Sequence, residues 1–433
     1  MALLLYNLAL IALGAPFLVW LAVDVWRGGR FARGWRAQLT LDLPEVAPGT
    51  PLVWLHAASV GETLAVERVL AQLKSRHPEL RQLITSTSAA GHELAEKRGI
   101  ADLRTYLPFD FPGLPGRLLD RVRPKLLIVA ETEIWPNLLA AARLRSIPIL
   151  VINGRLSPER ERSYRRLAML YRQVLAPVRL FLMQAEADAA RLVDIGVPQE
   201  RVRVAGDLKV DRTFAFARTV DGGEVARDLA LPPGPVLLAG STHPGEDAAV
   251  RDAWMRLRRD MPDLLLVLAP RHMNKVAAVR AGFERAGVAY RLRSAELAER
   301  HAGNPVRGGG RPPVLILDTI GELAGAYAVA TLAFVGGTLV PVGGHSVFEP
   351  AAFGCPVILG PHDFNFREEG EALEAVGAVA RVADADGLYR AARAWLADPP
   401  RVRAAGEAGR RVVAEMAGAT ERTLAVIERT LGS

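Results

Sequence analysis

From residue 52 onward the chain alternates short, continuously apolar runs with amphipathic stretches. In the amino half the apolar runs fall at 52–56, 83–87, 126–130, 147–152 and 180–184, with helical periodicity at 63–75, 92–98, 136–144 and 159–170 between them. The carboxyl half repeats the plan, with runs at 236–239, 264–268, 314–317, 332–335 and 357–359. A short strand that is apolar at every position is buried on both faces, and strands separated by helices pair in parallel through crossovers. The pattern therefore predicts an α/β protein of two doubly wound, Rossmann-like domains facing each other across a cleft. The helical signal gives way to turn-forming residues between 214 and 235, which separates a domain at 40–215 from one at 225–433. Residues 300–313, rich in glycine and proline, read as an exposed loop, and 401–433 as amphipathic helix that packs back across the domains.

Ahead of both domains, residues 2–23 carry no charge before Asp24. That length spans a bilayer as a helix. Arg27, Arg30, Arg33 and Arg36 follow it, with Trp20, Trp26 and Trp35 around the boundary. Basic residues on the carboxyl flank place that side in the cytoplasm, and tryptophans suit the headgroup level. A cleaved signal peptide would carry basic residues ahead of the apolar core and a small-residue cleavage site behind it, and neither is evident. Residues 1–26 are thus expected to be a retained single-pass anchor.

At 433 residues the chain is too long for one ordinary core. Half of it is hydrophobic and 23% charged, which excludes a disordered chain. A net charge of +7 suits an anionic partner: nucleic acid, a phosphorylated substrate or an acidic lipid surface. One cysteine, Cys355, excludes a disulfide framework and a thiolate metal cluster.

Polar residues gather where the apolar runs end. Residues 334–366 read FVGGTLVPVGGHSVFEPAAFGCPVILGPHDFNF, a strand breaking into Gly336-Gly337 and Gly343-Gly344 before a helix expected to open near Ser346. Glycines let backbone amides approach a ligand, a helix N-terminus presents unpaired N–H groups, and Glu349 can accept from ribose hydroxyls. The set predicts a nucleotide site rather than a plain tight turn. Glu62, in HAASVGE, is either a general base at a strand end or the partner of Ser59 in a capping box. Glu131 and Glu133 either orient a substrate or favour a helix start, and Lys209 either neutralises an anion or is a solvated charge. Pro270-Arg271 ends another strand, where an arginine can pair bidentately with phosphate. Asp318 to Leu323 ends a third. No histidine spacing suits zinc, and neither a Walker lysine motif nor a dinucleotide fingerprint occurs.

In this order HAASVGE, ETEIWPN, GDLKVD, GSTHPGE, LAPRH, DTIGEL, FVGGTLVPVGGHSVFEP and GPHDFNF resemble the Kdo transferases over most of the chain. Those enzymes move 3-deoxy-D-manno-octulosonic acid (Kdo) from CMP-Kdo to the lipid A precursor. The resemblance implies a GT-B fold, an inverting transfer without metal or other cofactor, and attachment to the cytoplasmic face of the inner membrane. It implies that Glu62 is the base, and that Glu131 and Lys209 stabilise the transition state. It implies that CMP is held by Pro270 and Arg271, by Gly321, Glu322 and Leu323, and by Ser346, Val347, Phe348 and Glu349. Where family members carry Asn this chain has Ser346, and either residue can cap a helix. The expected partners are CMP-Kdo, the lipid A precursor and an anionic inner-membrane surface, with no nucleic acid. Two rivals share the architecture: a nucleotide-sugar 2-epimerase, which leaves the anchor unexplained, and a non-catalytic binding module, which has no need of Glu62 or Arg271.

Overall fold

In the computed structural model, which describes residues 2–131, 133–156, 164, 168–302 and 312–432, the apolar runs become two separate parallel sheets of seven strands each. The first holds β1 (Leu52–His56), β2 (Arg81–Ser86), β3 (Leu103–Tyr106), β4 (Leu126–Ala130), β5 (Ile149–Gly154), β6 (Leu180–Met183) and β7 (Val202–Val204), in the order β3-β2-β1-β4-β5-β6-β7. The second holds β8 (Val236–Thr242), β9 (Leu265–Pro270), β10 (Tyr290–Leu292), β11 (Val314–Ile316), β12 (Leu332–Val335), β13 (Val357–Leu359) and β14 (Val379–Arg381), in the order β10-β11-β9-β8-β12-β13-β14.

Strand β1 shows why these runs are strands. Leu52 and Trp54 pack into one cluster of buried side chains, Val53 and Leu55 into another, so alternate residues feed the two faces of one sheet. Each such side chain contributes about 1.5–3 kcal/mol by leaving water. Strand order reverses between β1 and β4 in the first sheet and between β8 and β12 in the second. In doubly wound sheets ligands bind outside the carboxyl ends of the strands at such a switch point.

The chain divides into unit 1, Met1–Arg212 with Ala417–Ser433, and unit 2, Thr213–Met416. The last segment, expected to belong with the second domain, is part of unit 1. There the helix Ala419–Leu431 buries Leu424 and Ile427, and the Asp211 carboxylate accepts from the N–H groups of Gly418, Ala419 and Thr420 at 2.5, 3.3 and 2.5 Å. A carboxylate from elsewhere in unit 1 thus caps a helix whose own N-cap, Gly418, has no side chain to do so. The helix expected over 159–170 lies mostly outside the described residues, as do 303–311 of the loop expected at 300–313.

Within unit 1 the apolar amino-terminal run forms the helix Ala2–Trp26, and its stretch Leu3–Trp26 is long and apolar enough to cross a membrane. Leu4, Leu5, Leu8, Ile11 and Val19 are exposed, an arrangement costly in water and natural in lipid. The helix lies along unit 1 rather than projecting from it. Tyr6 donates to Asp110 (3.1 Å), Asn137 donates to Asn7 (2.7 Å), and the Phe17 ring meets Phe109 edge-on at 5.0 Å.

Candidate active site

In unit 1 the turn after β1 brings Ser59 into an extended conformation, φ −121°, ahead of the helix Val60–Arg76. Its hydroxyl accepts the Glu62 N–H at 3.3 Å. The Glu62 carboxylate in return accepts from the Ala58 N–H and the Ser59 hydroxyl, each at 2.7 Å. The reciprocal pairing of Ser59 and Glu62 read in the sequence is therefore present, with the carboxylate reaching the N–H one residue ahead of the N-cap rather than that of the N-cap itself. Glu62 is nonetheless 7% exposed, and its pKa is raised, chiefly by burial. The bonds from Ser59 and Ala58 oppose that rise; the charge of Glu131 adds to it and that of Lys209 opposes it.

Those last two groups close the cluster. Lys209 Nζ donates to Glu131 Oε1 at 2.9 Å, both side chains partly exposed. Glu131 sits just past β4 with φ 55°, a left-handed conformation that costs a side-chain-bearing residue free energy and is often found at functional sites. Its N–H donates to the Ile152 carbonyl at 2.8 Å. Asn153, also left-handed at φ 54°, accepts the Leu208 N–H on Oδ1 at 2.9 Å and so pins the turn that carries Lys209. Sequence reasoning missed Asn153, because nothing in the apolar pattern of β5 marks a polar residue 1% exposed at its end. It also gave no role to His56, which is fully buried, bonds through Nδ1 to the Thr85 carbonyl (3.1 Å), and is pushed down to about 4 by burial. Neutral at pH 7, His56 sits edge-on to Trp135, with ring centroids 6.2 Å apart.

In unit 2 the backbone at and just after the first glycine pair is engaged by the protein itself. The backbone N–H groups of Gly337, Thr338 and Leu339 all donate to the buried carboxylate of Glu246, at 2.7, 3.0 and 2.9 Å, and the His243 N–H joins them at 2.9 Å. An internal anion thus occupies the amides of 337–339. Gly336 is required by close approach: a Cβ there would lie 2.3 Å from the Ser241 carbonyl oxygen. The helix expected to open at Ser346 opens at Phe348, with Val347 as its N-cap and no side-chain cap bond. Phe348 is buried, and Glu349 stands near the Tyr327 hydroxyl, whose pKa is pushed well up by burial and then by that charge.

Arg271 follows Pro270 at the end of β9, its N–H donating to the Thr242 carbonyl at 2.9 Å. Its exposed guanidinium makes no ion pair among the described residues. Gly321 is left-handed (φ 94°) and Leu323 begins the short helix Leu323–Ala326. Glu322 is engaged: Arg293, 2% exposed, donates to it through Nε at 2.8 Å and also pairs with Asp228, while Thr319 donates to its other oxygen. The Glu322 carbonyl is engaged as well, accepting the Ala326 N–H at 3.0 Å. Among the described residues no three His, Cys, Asp or Glu side chains converge as a metal site.

Comparison with known proteins bears on what these two clusters do. Residues 30–212 match the family described as 3-deoxy-D-manno-octulosonic-acid transferase (kdotransferase). The 3-deoxy-D-manno-octulosonic acid transferase of Bordetella pertussis is 37% identical over 446 residues, covering 99% of this chain and 99% of the relative. That of Haemophilus influenzae is 34% identical, covering 87% and 86%. A UDP-GlcNAc 2-epimerase from Neisseria meningitidis, solved with UDP-GlcNAc bound, superposes with a TM-score of 0.58 at 12% identity over 84% of this chain and 99% of that one. At that identity the likeness speaks for the fold alone, a GT-B-like pair of Rossmann domains. A relative matched from end to end decides more: the chain belongs to the 3-deoxy-D-manno-octulosonic acid transferases, glycosyltransferases of lipopolysaccharide biosynthesis.

Proposed function

We propose that the protein transfers Kdo from CMP-Kdo to the lipid A precursor with inversion, using Glu62 as general base. The observation that carries this reading is the buried Glu62 carboxylate, raised in proton affinity and fixed by Ser59 and Ala58, beside the Lys209–Glu131 pair. A sugar hydroxyl is a weak acid and a poor nucleophile, so a positioned base contributes to its attack. As the hydroxyl oxygen bonds to the anomeric carbon of Kdo, its proton passes to Glu62. The bond from that carbon to the phosphate oxygen breaks, its electron pair leaving with CMP. A single displacement on the face opposite the leaving group inverts the centre. Lys209, held by Glu131, offsets the negative charge that develops, and a preorganised cation does so without reorganising at the moment of reaction.

On the donor side, Arg271, which makes no ion pair among the described residues, suits the phosphate, with the backbone of 321–323 and of 346–349 around the nucleotide. The acceptor is itself anionic and lipid-bound, which suits a basic chain whose amino-terminal helix anchors it to the inner membrane with both units on the cytoplasmic side. Full-length protein given CMP-Kdo and a tetraacylated lipid A precursor is expected to release CMP and to raise the lipid's mass by whole Kdo increments. CMP release with no change in lipid mass would refute the acceptor.

The anchor has its own test. A single-pass helix with its amino end outside must give up the Tyr6–Asp110 and Asn7–Asn137 bonds, whereas a helix lying in the interface keeps them. Because Cys355 is buried, Leu4→Cys would be the one accessible thiol among the described residues. With a single-pass anchor it is expected to react with a membrane-impermeant maleimide on intact spheroplasts. Labelling only after lysis would place the helix in the plane of the inner leaflet instead.

A further inference from the structure

Three histidines, none of them needed by the mechanism above, meet beside Arg271. His243 follows β8, His272 follows β9 and His345 lies in the loop after β12, three neighbouring strands at the centre of the second sheet. His243 Nε2 and His345 Nε2 are 2.9 Å apart, with the rings head to head and nearly coplanar, 5.2 Å between centroids and 13° from parallel. His272 meets His243 edge-on, also at 5.2 Å. Two imidazole nitrogens at that distance hold one hydrogen between them, one ring donating and the other accepting.

The cluster is short of counter-charge. The carboxylate bearing on His243 is Glu246, whose oxygens are already occupied by four backbone N–H groups, and none bears on His345. The neighbouring acids are engaged elsewhere, Asp247 by the Thr242 hydroxyl at 2.6 Å and Asp363 by Arg381 at 2.6 Å. Among the described residues, Arg271, His272 and the His243–His345 pair thus gather cationic capacity against one nearby carboxylate, Glu246, whose oxygens are taken up by backbone amides. Such a site is completed by an anion from outside.

We propose that His243, His345, His272 and Arg271 form one anion subsite that takes up a proton from solvent as it binds the phosphodiester of the nucleotide donor. The inference rests on the CMP-Kdo reading above. Without a ligand, burial lowers both histidines: His243 against the opposing charge of Glu246, and His345, to about 4, with the help of neighbouring positive charge, so the pair is neutral at pH 7. A bound anion reverses the sign of the local field and favours the imidazolium. Binding and protonation are then linked, and donor affinity rises as pH falls.

Calorimetry on the full-length protein tests this with the methyl ester of CMP, a phosphodiester of fixed charge, and with cytidine as its uncharged counterpart. At pH 6 the ester is expected to bind about five- to tenfold tighter than at pH 8, with proton uptake revealed by the dependence of the heat on buffer ionisation. Cytidine should bind alike at both. In His345→Gln the ester's affinity should vary less with pH than in the wild type, while that of cytidine is unchanged. Wild-type binding that is independent of pH and takes up no proton would overturn the subsite while leaving the donor assignment standing, whatever the variant does. Absence of ester binding at either pH would sink the donor reading, and this inference with it.

Discussion

Glu62→Gln is expected to lower the turnover of Kdo transfer by about 10²- to 10⁴-fold, the range a positioned general base contributes, with little change in melting temperature. The substitution separates two roles that one carboxylate plays. As a cap, Glu62 accepts the Ala58 N–H and the Ser59 hydroxyl at 2.7 Å each. A glutamine oxygen can still accept the Ala58 N–H, and the Ser59 hydroxyl can turn to accept from its amide. As a base, glutamine has nothing to offer. Glu62→Ala removes both roles, leaving the Ala58 N–H without its partner, and should cost about 1 kcal/mol of stability in addition. Initial rates of CMP release, measured beside thermal melts of both variants, decide the matter. A glutamine variant retaining more than a tenth of the wild-type rate would return Glu62 to capping alone.

The pH profile supplies an independent check. Glu62 must be ionised to accept a proton, and burial raises its pKa above that of an exposed glutamate. The rate should therefore fall on the acid side as Glu62 becomes protonated, at a higher pH than an ordinary carboxylate would give, and that limb should vanish in the residual activity of Glu62→Gln.

How much of this was legible in the sequence depends on burial. The ten strands expected from continuous apolar runs are all present, as the inner strands of the two sheets. The four that went unread, β3, β7, β10 and β14, are the four sheet edges. An edge strand is covered less completely: the residues of β10 are all half-buried, and Arg203 in β7 and Arg381 in β14 are exposed. They leave no continuous apolar run to detect. At the sites, Glu131 and Arg271 stood out because each directly follows an apolar run, whereas Glu62 and Lys209 took their roles from the family resemblance. Side chains whose role depends on a distant partner did not stand out. His345 is a lone loop histidine until the fold sets it on His243, 102 residues away in sequence. Glycine-rich spacing, for its part, states that backbone amides come close to something, without saying whether that something is a ligand or the protein itself.

Glu246 is the case in point, and its replacement should be the most damaging to the fold. Glu246→Ala is expected to destabilise unit 2 by about 3–5 kcal/mol, because it leaves three buried N–H donors and a part-buried fourth unpaired, at roughly 1–3 kcal/mol for each buried one before relaxation and water entry recover part of the loss. Glu246 is 1% exposed; Oε2 accepts from His243 and Gly337, and Oε1 from Thr338 and Leu339. These bonds tie the end of β8 to the loop after β12, the two strands flanking the switch point. Gln is no remedy, since its NH₂ would face two of the donors, so Glu246→Gln should fall nearly as far. Charge-assisted bonds to backbone N–H groups are what make a buried carboxylate tolerable here, and removing the acceptor turns the same low-dielectric site against its donors. Denaturant unfolding followed by a probe in unit 2, such as Trp254 or Trp395, would read the loss as a fall in midpoint at unchanged slope. A loss of less than about 1 kcal/mol would mean that the amides of 337–339 find other acceptors within the protein or in water.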